Sequence, residues 1–150
     1  MKSFKTLLIV GLILILTGST LYALNCNVSF TTLLKIQESG YCQTRDWVIN
    51  NQTDFCNFWN QAYIMMDEPP PCPTIDFSTY MVIVTAMGRK SNSCYNTEIY
   101  CIENNGGNYT VWVKDTYPKK GWFCPAMMVC PVHAVQSLKP TGTVTFRHIQ

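Results

Sequence analysis

Eight cysteines and two histidines hold most of the reactive chemistry in this 150-residue chain. The cysteines are Cys26, Cys42, Cys56, Cys72, Cys94, Cys101, Cys124 and Cys130. An even number in a small chain reads as an oxidised framework of up to four bridges. A structural zinc site would instead need thiolates two to four residues apart, so that one turn presents a pair. The closest pairs, Cys94/Cys101 and Cys124/Cys130, have six and five residues between them. Disulfides are therefore expected, with no metal and no cofactor. Connectivity stays open; closure of neighbours in sequence has its best case in Cys56 and Cys72.

Catalysis finds little to work with. A Cys/His nucleophile pair is arguable only for Cys130 and His133. A catalytic thiol must be free and ionisable, and the even count expects Cys130 to be bridged. Gly-x-Ser-x-Gly, His-Glu-x-x-His and a phosphate-cradling glycine loop do not occur. Glycosidase chemistry needs two facing carboxylates. Asp67 and Glu68 are adjacent in a loop, and Asp76 precedes Phe77 where a carboxylate usually binds turn amides. No enzyme is expected. Three Asn-x-Ser/Thr sequons, at Asn27, Asn51 and Asn108, are glycosylation candidates if the host glycosylates.

The start of the chain has the anatomy of a secretory signal. Lys2 and Lys5 precede an apolar run over 7–16, and the small residue Ala23 follows a polar break. Every cysteine lies beyond it, in keeping with an oxidising, extracellular compartment. Residues 1–23 are expected to be the signal and 24–150 one domain. A membrane enters only if the signal stays uncleaved or Cys26 is lipidated, and Asn25 fits poorly before a lipidated Cys. Without Lys2 and Lys5 the chain carries 9 basic residues (11 − 2) against 9 acidic ones. Nucleic acid, which demands a basic surplus, is excluded as a main partner.

Strands dominate what remains. Alternation over 28–36 predicts a half-buried strand, and Trp47-Val48-Ile49 a second. Thr53 is placed to cap a helix whose stripe is Phe55, Phe58, Trp59 and Ala62. Prolines 69–71 and Pro73 form a stiff connector. Residues 81–87, nearly all apolar, suit a central strand covered on both faces. Residues 95–103 and 109–116 flank Asn104-Asn105-Gly106-Gly107, a hairpin signal. The stretch 123–138 is broken by Pro125 and Pro131, which assigns it to an edge or a bulge. Residues 143–147 alternate once more. The sum is a mainly β fold with one helix: an antiparallel β-sandwich or open barrel of about seven strands, disulfide-stapled.

The order of several segments resembles the C-terminal domain of PrcB, a family first named for a subunit of a bacterial surface protease complex. Ser39-Gly40 ends the first strand, Phe58-Trp59 lies on the helix, and Pro73-Thr74-Ile75-Asp76-Phe77 is similar to the family's Pro-x-Val-Asp-Phe. Met81 to Gly88, Pro118 to Gly121 and Pro131-Val132-His133 match in sequence order. Ser93-Cys94-Tyr95 departs from the usual Gly-Gly-Tyr, and eight cysteines are unusual for the family. The resemblance implies a secreted or surface-attached, non-catalytic protein associated with a protease complex. The expected partner is an extracellular protein, a protease foremost; the alternative is a protease inhibitor using residues 89–93 and Lys119-Lys120. Trp122, Phe123, Met127 and Met128 are the candidate contact residues, against the reading that they complete the core. Trp112 has the same two readings.

Overall fold

The computed structural model describes residues 24–150, so the expected signal over 1–23 lies outside the described residues. Alternation fails in β3 (Tyr80–Met87) because both of its faces are covered. Val82, Val84 and Ala86 face the helix, while Met81 and Ile83 face a second sheet. The first sheet has the order β1 (Phe30–Ile36), β6 (Val132–Leu138), β3, β2 (Thr44–Ile49). The second has the order β4 (Asn96–Asn105), β5 (Asn108–Thr116), β7 (Val144–Ile149). The two sheets form a sandwich, with no closed barrel.

Helix α1 (Gln52–Ala62) covers the outer face of the first sheet, burying the expected stripe of Phe55, Phe58, Trp59 and Ala62. Its cap is not Thr53. Asn51 takes the extended cap conformation, and its side chain accepts from Asp54 N–H at 2.8 Å, so the helix begins at Gln52. The proline connector closes over the same core, where the Trp59 indole N–H donates to the Pro70 carbonyl at 2.8 Å.

Parity in the first strand misleads. A bulge between Thr32 and Leu34 shifts the register, sending Val28 and Phe30 into the inter-sheet core and Leu34 and Ile36 to the helix side. The predicted hairpin forms with Gly106 and Gly107 at φ of 61° and 89°, and Asn105 pairs with Asn108.

One further expectation needs correction. Residues 123–138 do not form one broken edge strand. Pro125 and Pro131 precede β6, and β6 is an inner strand paired with both β1 and β3. The pairing is mainly antiparallel, as expected, with the one exception that β7 runs parallel to β5. The intervening strand β6 belongs to the other sheet, so crossing between sheets brings β7 back in the same direction as β5.

Candidate functional site

All eight cysteines are paired: Cys26–Cys101, Cys42–Cys130, Cys56–Cys72 and Cys94–Cys124. Two of these bridges shape the surface just ahead of β6. Residues 117–131 leave β5 as an extended segment and lie against residues 88–95. Lys90 and Val129 exchange backbone hydrogen bonds at 2.8 and 3.0 Å, and Ser93 N–H donates to the Pro125 carbonyl. Cys94–Cys124 ties the two segments together, and Cys42–Cys130 ties the end of the second to the start of β2. The result is a lobe pinned at both ends of 124–130.

Among the described residues, five of the ten exposed large hydrophobic side chains lie in the lobe. Phe123 is 91% exposed, Met128 61%, Trp122 48% and Met127 40%. The reading that these four complete the core is therefore overturned. Local turns aim them outward. Gly121 has φ 87°, the conformation required where Trp122 N–H folds back on the Lys119 carbonyl at 3.0 Å. At Ser93-Cys94, where glycines were expected, no positive φ is used. The Asn92 carboxamide accepts Cys94 N–H instead.

Beside Met128 a cleft of about 360 Å³ opens between the lobe and the chain leaving α1; Gly40, Ile64, Met65, the Cys42–Cys130 bridge, Arg89 and Glu38 line it. Gly40 packs tightly on the end of α1 at one wall of the cleft, since a Cβ there would sit 2.3 Å from the Gln61 carbonyl oxygen. Ile64, Met65 and Met66, all exposed, were missed in the sequence. They follow α1 in the turn beyond its Tyr63 cap, off the buried stripe.

Two polar links join the sheets, one buried and one at the sheet ends, and neither was foreseen. His133 is 2% exposed on β6. Its Nδ1 accepts Ile99 N–H at 2.8 Å, beside the β4 bulge, and its Nε2 meets Thr32 Oγ1 at 3.1 Å. An acceptor at Nδ1 requires the neutral ring, with its proton on Nε2. Burial first, and the Lys35 charge second, push His133 down to about 4, against a smaller opposing effect of Glu98.

The second link joins the sheet ends. His148 on β7 meets Asp115 at 2.7 Å and Asp46 at 2.8 Å. The other oxygens of those carboxylates accept from Thr97 and Thr85, each at 2.7 Å. Burial acts to lower the His148 pKa, but hydrogen bonds and charge from Asp46 and Asp115 outweigh it and raise it. Only the imidazolium has a donor for each carboxylate. The signal for this link was parity: Asp115 and His148 continue the inward-facing rows of Val111 and Val113 and of Val144 and Phe146.

The remaining candidates scatter. Cys130 and His133 are not a nucleophile and base, since the sulfur is bonded to Cys42 and the ring is occupied by Ile99 and Thr32. Cys26 is likewise bonded. Asn27, Asn51 and Asn108 are exposed and lie apart from the lobe. Asn27 bonds both backbone groups of Asn104, and Asn51 is occupied as the helix cap. Asn108 uses its side-chain oxygen to accept from Thr143. Trp112 lies on the outer face of the second sheet, half-buried under the Arg147 guanidinium. Among the described residues no cluster has the makings of a metal site, and no helix is long and apolar enough to cross a membrane. No family model matches the chain, nor does any curated protein or solved structure.

Proposed function

We propose that this chain is a secreted, non-catalytic protein-binding module that uses the lobe over 117–131 as its contact surface. The observation that carries the reading is the display of Trp122, Phe123, Met127 and Met128 on a segment pinned by two disulfides. A contact loop held in place before binding loses less conformational freedom on association, so more of its contact energy appears as affinity. Aromatic and Met side chains supply the adaptable apolar contact that hot spots use. The four disulfides fit an oxidising compartment. The resemblance to the PrcB C-terminal domain makes a subunit of an extracellular protease complex the first partner to test.

Protease inhibition is the second reading. It is favoured by the meeting of 89–93 with the lobe bearing Lys119 and Lys120, which gathers both candidate loops on one side. Cross-linking in the native secretion separates the possibilities. Links from Lys119 and Lys120 to one protein, lost in Phe123→Ser/Met128→Ser, are expected. Recovery of monomer alone at native concentration rejects the module. Unchanged rates of secreted proteases at micromolar protein reject inhibition and leave the first reading standing.

A further inference from the structure

The charges of this near-neutral domain are segregated. Residues 88–95 and 117–131 carry Arg89, Lys90, Lys119 and Lys120 and no carboxylate. None of the four forms an ion pair among the described residues. Lys90 and Lys119 instead stand 5.7 Å from the ring centres of Tyr95 and Trp122. Two acids stand beside the lobe: Glu38, which bridges to Cys130 and lines the cleft together with Arg89, and Asp115, which is already engaged by His148 and Thr97. Unpaired cations thus border exposed apolar side chains, and the cleft beside Met128 is concave and of side-chain size.

From this we infer that the lobe takes an acidic segment of a partner protein, with an apolar side chain seated in the cleft between Met65 and Met128 and carboxylates facing Arg89, Lys90, Lys119 and Lys120. The inference rests on the lobe being the contact surface. Complementary charge supplies what apolar contact alone lacks: faster encounter, a fixed register and rejection of basic partners. The reach is adequate, because the five steps from Phe123 to Met128 span about 17 Å when extended. A short peptide therefore covers the cleft and the Trp122 side together. The concave cleft favours a peptide over a bilayer, which a protruding wedge would enter.

The test pans a displayed library of random 12-residue peptides against the full disulfide-intact protein, then measures the resynthesised winners by fluorescence anisotropy. Winners combining Asp or Glu with apolar residues are expected. Their affinity should fall at least tenfold in Arg89→Glu/Lys119→Glu, and also between low and 0.3 M salt, with circular dichroism unchanged. Neutral or basic winners, or equal binding by the charge-reversal variant, overturn the acidic assignment. If such winners are lost in Phe123→Ser/Met128→Ser, the contact surface survives without it. Binding only to vesicles of phosphatidylcholine with one-quarter phosphatidylglycerol, and to no peptide, overturns both.

Discussion

Residues 122–128 and strand β6 lie close together in sequence, are both rich in apolar side chains, and have opposite fates. Phe123 is 91% exposed, whereas Val132, Ala134 and Val135 are at most 1% exposed. The larger side chain has more to gain from burial, at about 25 cal/mol per Å² of apolar area. Hydrophobicity therefore did not choose between them. Backbone pairing did. From Val132 onward every position can join a ladder on both sides, and β1 and β3 take them. Before Pro131 the prolines withhold donors, and the segment makes only scattered pairs with 88–95 and 37. Two disulfides then hold the apolar residues where they are.

The largest effect should come from cutting the staple at the junction of the two regions. Cys42–Cys130 spans 88 residues of sequence and Cys94–Cys124 spans 30. Loop-closure entropy predicts a loss of about 4–5 kcal/mol for Cys42→Ala/Cys130→Ala and about 3–4 kcal/mol for Cys94→Ala/Cys124→Ala. Urea denaturation measures both, and the reverse order would show that the staples act through strain or packing rather than chain length.

Acid should weaken the strand region through His133. Its folded pKa, about 4, lies below the unfolded 6.5, so in that window the unfolded chain binds the extra proton. Stability from this group is complete above pH 6.5 and falls by roughly 3 kcal/mol as pH drops to 4. His148 has the opposite sign. Its raised pKa contributes stability below 6.5 that is lost as pH rises through the folded value. Urea midpoints of His133→Gln and His148→Gln, each taken as a difference from the parent across pH 4–8, separate the two slopes. A flat difference for His133 would mean that the ring is not buried neutral.

The smallest effect sharpens the comparison most. Phe123→Ser should change stability by no more than about 0.5 kcal/mol, as for other exposed positions, while Val135→Ala should cost about 2 kcal/mol. A Phe123→Ser loss near that of Val135→Ala would mean that the lobe is packed in solution and is not a free surface.

The elements that were legible in the sequence are those decided by near neighbours. The stripe Phe55, Phe58, Trp59, Ala62 announces its helix, and the Gly106-Gly107 pair announces its hairpin. The doubly buried β3 reads from its unbroken apolar run. The bulge in β1 was hidden, because the parity of 28–36 looks regular until a partner strand fixes the register. For the candidate site, Trp122, Phe123, Met127 and Met128 were legible as contact candidates, but the cleft beside them was not. Their neighbours Ile64, Met65 and Arg89 come from distant segments.

By itself, then, the sequence determined the oxidised framework, the β-rich class with one helix, and the near balance of charge, because each depends on residue type and short-range spacing. Only the tertiary structure decided which cysteines meet, that β7 lies parallel to β5, and that His148 joins Asp46 across 102 residues. It also decided that four cations without an ion pair among the described residues lie on or beside one apolar lobe. Those outcomes depend on which strands share a sheet, a choice made by the collective burial of two cores and beyond the reach of any local pattern.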